Sequence, residues 1–215
     1  IFVDTIGDGG SILNSGSIEA DAYASSSSAS AYGINVGTLA SGGSITNSGT
    51  IEADADASET AVANAFGINV KTLESGGSIS NSGTIDASAD ASETAVANAF
   101  GINVKTLESG GSISNSGTID ASADASSSAS AFAFGINVGT LGGSISNSGT
   151  IYASADASSS ASAYGINVGT LASGGSITNS GTIDADAEAS SSSATAFATA
   201  YGIYVGDAAG NIDNS

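Results

Sequence analysis

Small or apolar residues alternate with polar ones along most of this chain, and Gly and Ser clusters interrupt the alternation at regular intervals. In Ile51-Glu-Ala-Asp-Ala-Asp-Ala57 every second residue is apolar or small. Period-two alternation bounded by such clusters predicts half-buried strands. A helical reading fits poorly, because Thr, Ser, Gly and β-branched residues break every Ala-rich stretch. Ser/Ala-rich runs such as 24–31 read as loops as readily as strands.

Two phrases carry the pattern. Ser44-Ile-Thr-Asn-Ser-Gly-Thr-Ile-Glu-Ala53 recurs around Ile18, Ile85, Ile119, Ile151 and Ile183. Gly67-Ile-Asn-Val70 recurs around Ile34, Ile102, Ile136, Ile166 and Ile203. Together they make a module of about 34 residues, and residues 57–92 and 91–126 are identical. Within the module Ile34, Ile51, Ile68, Ile85, Ile102, Ile119 and Ile136 follow at intervals of 17, after which the spacings become 15, 15, 17 and 20. A short period sustained this long marks a repeat array, in which each unit buries its apolar face only by stacking on its neighbours. The expected fold is therefore all-β, a parallel β-helix or β-solenoid. It runs as a single array over 1–215 that begins and ends in mid-repeat.

The spacing admits one coil per module or two, and the side-chain rows favour two coils of about 17 residues. Superposed at 17, Ile45, Val62, Ile79, Val96 and Ile113 share a row, and Asn47, Asn64, Asn81, Asn98 and Asn115 form a candidate asparagine ladder. Gly and aromatic residues alternate at Gly49, Phe66, Gly83, Phe100, Gly117 and Phe134, which predicts inward rings seated over glycines. The repeated acids Asp56, Asp90, Asp124, Asp156 and Glu188 point the same way. One coil per module would stack them ~4.8 Å apart, at a repulsion of roughly 0.9 kcal/mol per pair in water. Two coils double that separation, and the rod would then be about 60 Å long.

Charge narrows the function classes. The chain has 21 acidic residues against two lysines, Lys71 and Lys105, for a formal net charge of -19. Nucleic acids and anionic membranes both require basic surface, so neither is an expected partner. No apolar run approaches the ~18 residues of a membrane helix, so no membrane insertion is expected in this segment. Cysteine and histidine are absent. An ordinary catalytic triad or zinc site has no residues to build it, and the chain is not expected to be an enzyme.

The Ile-Thr-Asn-Ser-Gly-Thr-Ile phrase followed by Gly-Ile-Asn-Val resembles the repeat regions of secreted bacterial β-helix proteins, of the autotransporter-passenger and surface-adhesin type. The likeness covers nearly the whole chain and specifies a fold better than a function. A complete autotransporter also carries a translocating barrel, which these residues lack. The resemblance implies a structural or adhesive role outside the cell, at the bacterial surface or in a matrix fibre.

Candidate sites are few. Asp54 with Asp56, and Asp184 with Asp186 and Glu188, present alternate acids on one strand face. Oxygen-rich clusters suit Ca²⁺, although the Gly-Gly-x-Gly-x-Asp calcium nonapeptide is missing, and solvated surface charge is the plainer reading. No other cofactor is expected. Lys71, 17 residues from Asp54, suggests a solvated ion pair. Tyr23, Tyr152 and Tyr204 fall at outward parity. Thr46, Ser48 and Thr50, with Ala63, Ala65 and Gly67 one short coil later, suggest a flat uncharged strip. Such a strip fits lateral packing between rods, or a flat ligand such as ice or a glycan. Lastly, Ile1-Phe-Val3 and Ile212-Asp-Asn214 keep the repeat pattern with no polar cap, which predicts self-association end to end into a filament.

Overall fold

The computed structural model describes residues 1–59, 61–92, 96–126, 129–191 and 196–215. Among them the chain forms three parallel sheets of seven, seven and six strands, which wind together into a β-solenoid. A central coil shows the plan. A long strand, Val62–Leu73, lies in sheet A, a short strand, Ser78–Asn81, in sheet B, and Thr84–Ala91 in sheet C. Each strand pairs with its counterpart in the next module: Phe66 with Phe100, Ile79 with Ile113, Asp90 with Asp124.

One module is therefore one coil, and the division into two coils of 17 is corrected. The rows at 17 are real but run across the molecule. Residues half a coil apart face each other over the core, as Gly67 faces the side chain of Ile85. Stacking whole modules places Phe on Phe, Asn on Asn and Ala on Ala, so every layer has the same cross-section. The rod is correspondingly short, roughly 30 Å from first strand to last. The irregular spacings after Ile136 fall between the paired strands, which keep their register. Leu141-Gly-Gly replaces the longer Leu107-Glu-Ser-Gly-Gly, while Ile113, Ile145 and Ile177 keep their register.

Each cross-section has two compartments. Ile68, Val70, Leu73, Ile79 and Ile85 are wholly buried in a core of branched side chains. Beside it Ala61, Ala63 and Ala65 pack with Ala87, Ala89 and Ala91 in a layer built from methyl groups alone. The long strand bends between these compartments. Gly67 and Ile68 are both buried, so the inward parity shifts from odd to even residues at that corner. Val62, Asn64 and Phe66 consequently face outward and are half-buried, and the inward aromatic row is corrected. So is the strip of small residues, because Ala63 and Ala65 have no exposed surface.

Glycine serves this stacking in two ways. At the turn between sheets B and C, a Cβ on Gly83 would land on the Gly49 carbonyl oxygen of the coil below. Gly49, Gly83 and Gly117 thus allow coils to approach. In the preceding turn Gly76 has φ +76°, the left-handed region that disfavours side chains.

Candidate functional site

The most ordered polar feature is internal. Asn47, Asn81, Asn115 and Asn147 are buried where sheet B turns into sheet C. The Nδ2 of Asn47 donates to Asn81 Oδ1 at 2.8 Å and to the Thr84 carbonyl at 3.0 Å. The same pattern climbs from Asn14 to Asn214. An asparagine ladder was expected here and is present, but its rungs are one module apart. Asn64 and Asn98 belong to an outer row on sheet A, where Asn98 Nδ2 donates to Asn64 Oδ1 at 3.0 Å. A further outer ladder joins Asn69, Asn103 and Asn137, with Nδ2 donating toward the N-terminal end, opposite to the inner one. Among the described residues no buried side-chain polar atom lacks a partner.

The outward face of sheet C holds most of the acids, and they stack along the axis. Glu52, Asp86 and Asp120 form one row. Asp56, Asp90, Asp124, Asp156 and Glu188 form another. The spacing judged too costly from sequence is the one adopted. Water screens these outward groups to roughly 0.9 kcal/mol per neighbouring pair, a small term against continuous backbone pairing and a filled core. Partial burial, then the adjacent carboxylates Asp124, Asp56 and Asp54, raise the Asp90 pKa above its ordinary value. Burial and then Asp120 and Asp54 raise Asp86; burial and then Asp156 raise Asp124. Burial alone raises Asp120, and burial followed by Glu52, Asp21, Asp56 and Glu19 raises Asp54.

Two shallow depressions of about 360 and 430 Å³ follow one another along the edge of sheet C and share Asp124 and Ser126. One is lined by Asp56, Asp90 and Ser92, the other by Asp156, Glu188 and Ser190. The two proposed calcium clusters each lie along a single strand. Asp54 and Asp56 lie on the strand Thr50–Ala57, while Asp184, Asp186 and Glu188 lie on Thr182–Ala189. Among the described residues no three acids converge to hold a metal. Lys71 is on sheet A and Asp54 on sheet C, so the expected pair is not brought together; Lys71 lies on the strand paired with that of Lys105.

Aromatic rings make a second outward row, where the sequence pattern places them in the core. Tyr32, Phe66, Phe100, Phe134, Tyr164 and Tyr201 stack in order, and the Phe66–Phe100 centroids are 4.8 Å apart with planes 3° from parallel. The available signal was the Ala63-Asn64-Ala65-Phe66 alternation, which holds Phe opposite in parity to Ala. Tyr23, Tyr152 and Tyr204 are exposed, as expected.

The proposed assembly residues sit at the rod's ends. Ile1 is 52% and Phe2 73% exposed, with Val3 half-buried beside them on the first strand. At the far end Ile212 is 47% exposed, and with Asn214, Ile183 and Ile203 it lines an open cavity of about 640 Å³. Among the described residues no helix is long and apolar enough to cross a membrane. Comparison of the chain with family models, curated proteins and solved structures finds no match.

Proposed function

We propose that the chain is a structural segment of an extracellular fibre, of the bacterial surface or matrix kind, whose rods join end to end. The observation that carries this reading is the directionality of the inner asparagine ladder. Asn179 Nδ2 donates to Asn214 Oδ1, so the Asn214 amide points its own N–H groups beyond the last coil. At the other end Asn14 Oδ1 accepts the Gly16 amide at 3.3 Å and, among the described residues, no ladder amide. A donor row at one end and an acceptor at the other match head to tail and clash head to head. Ile212 and Ile203 offer apolar core to Ile12 and Ile1 of a following copy, and exposed strand edges recruit further strands. Such a contact is heterologous, so it propagates instead of closing. The role is mechanical and adhesive, outside the cell, and it asks for no catalysis or cofactor.

Negative-stain microscopy tests it. The wild type is expected to form filaments many times longer than roughly 30 Å. Replacing Ile1 and Ile212 by Lys places charge in the junction and is expected to leave short particles. Unchanged filaments in the double variant, or wild-type particles that stay one rod long at all concentrations, refute the reading.

A further inference from the structure

We propose that the aromatic side of sheet A is a self-association surface, on which a second copy of the chain packs side by side through the same face. The face is the outward side of the short leg 62–66 and its counterparts in other coils. Val62, Val96, Asn64, Asn98, Phe66 and Phe100 form its centre, all half-buried. No charged residue occupies these positions in any coil: the legs read Val-Ala-Asn-Ala-Phe, Ser-Ala-Phe-Ala-Phe, Ser-Ala-Ser-Ala-Tyr and Phe-Ala-Thr-Ala-Tyr. Across the alanine layer, the outward face of sheet C carries the stacked acids. The molecule is therefore divided by charge, anionic on one broad side and neutral on the other.

That division selects the occupant. Two copies meeting through sheet C would press carboxylate rows together, and sheet C against sheet A would strip water from those rows without a compensating charge. Meeting through the aromatic face places both acidic sides outermost. It also lets equal 4.8 Å repeats interlock, as in dry sheet-on-sheet interfaces. Sugar binding is disfavoured by ring geometry. A platform for a sugar presents ring faces, but here each face lies against the next ring and only edges point outward.

Area sets the strength. Six legs at ~4.8 Å and five residues at ~3.3 Å give a strip of roughly 460 Å² per copy. A stable pair needs about 800 Å² per partner. One rod is thus too short for tight pairing, and affinity grows with every coil added. The surface adds to the end-to-end reading only in that joined rods present a longer face; pairing itself does not need the ends.

Mass per unit length separates the two contacts, because end-to-end joining leaves it unchanged and pairing doubles it. By small-angle scattering the single rod should give about 0.7 kDa/Å, from 20.3 kDa over roughly 30 Å. The wild type is expected to climb toward twice that value with concentration, and so is the Ile1→Lys, Ile212→Lys protein. The Val62→Glu, Val96→Glu protein is expected to stay at the single value. A second measurement covers misfolding of that variant. The chain has no cysteine, so Asn98→Cys protein is expected to oxidise to a covalent dimer at least tenfold faster than Ser122→Cys protein, whose thiol lies on sheet C. Wild type that stays single at every concentration, or equal cross-linking of the two cysteine proteins, overturns the proposal. Single wild-type rods retained on a polysaccharide column would assign the face to a flat sugar instead.

Discussion

Asn81 and Asn103 offer one residue type at one axial repeat in two environments. The Asn81 side chain is buried, accepts from Asn47 at 2.8 Å, and donates to Asn115 at 2.9 Å and to the Thr118 carbonyl at 3.0 Å. Asn103 is half-buried on the outer face, accepts from Asn137 and donates to Asn69, each at 2.7 Å. Asn81→Ala strands the Asn115 oxygen and the Thr118 carbonyl away from water. An unsatisfied buried group costs about 1–3 kcal/mol, so the loss should be roughly 2–6 kcal/mol. Asn103→Ala removes as many ladder bonds, but water reaches the partners and replaces them, and about 0–1 kcal/mol is expected. Both residues lie in interior coils, so neither result reflects fraying at an end. Urea unfolding followed by circular dichroism reads the difference. With a slope of about 2.5 kcal/mol per M, a loss near 4 kcal/mol moves the midpoint by about 1.5 M. Equal midpoint shifts for the two variants would refute the reasoning, since their ladder bonds are matched and only Asn81 is buried with a further bond to the Thr118 carbonyl.

Other outcomes follow from the same geometry. Asp54, Asp86, Asp90, Asp120 and Asp124 have raised folded-state pKa values, so the folded chain takes up protons before the unfolded chain does as pH falls. Stability should rise from neutral pH through the raised values and level off below the ordinary carboxylate pKa of ~3.9; a melting temperature that falls over that range contradicts the acid rows. Phe100→Ala should cost about 1–2 kcal/mol, from two ring stacks on a half-exposed face, against about 2–5 kcal/mol for buried Ile102→Ala, and the reverse order in denaturant titrations would return the rings to the core. Gly83→Ala drives a methyl into the Gly49 carbonyl and should prevent folding or cost over ~3 kcal/mol, whereas Gly76→Ala, with φ +76°, should cost about 1 kcal/mol by thermal melting. Melting curves in CaCl₂ and NaCl of equal ionic strength should coincide, because the acids lie in rows; a specific rise with Ca²⁺ would reveal a site that these rows do not describe.

The strands, the 34-residue module and the asparagine ladder were legible because each depends on local alternation and on which residue type recurs. The number of coils per module was not. A period of 17 arises equally from residues stacked along the axis and from residues facing each other across it, and composition is the same in both. The Coulomb argument about Asp56 and Asp90 chose wrongly because a penalty of roughly 0.9 kcal/mol in water is too small to set a fold. The position of Phe66 turned on the corner at Gly67 and Ile68, where two successive residues point inward. No local propensity marks that corner, and the parity of Phe66 against Ala63 and Ala65 was the one sequence signal for its outward position. Asp54 with Asp56, and Asp184 with Asp186 and Glu188, read as candidate ligands because alternation puts each set on one face of a strand, but shared parity does not make three carboxylates converge among the described residues.

The opposed asparagine ladders have an electrical consequence. In the buried row each amide donates to the coil that follows, and in the outer row at Asn69, Asn103 and Asn137 each donates to the coil before. The amide dipoles of the two rows therefore point opposite ways along the axis and largely cancel. Each added coil lengthens both rows together, so the solenoid gains side-chain hydrogen bonds without accumulating an axial field from its amides.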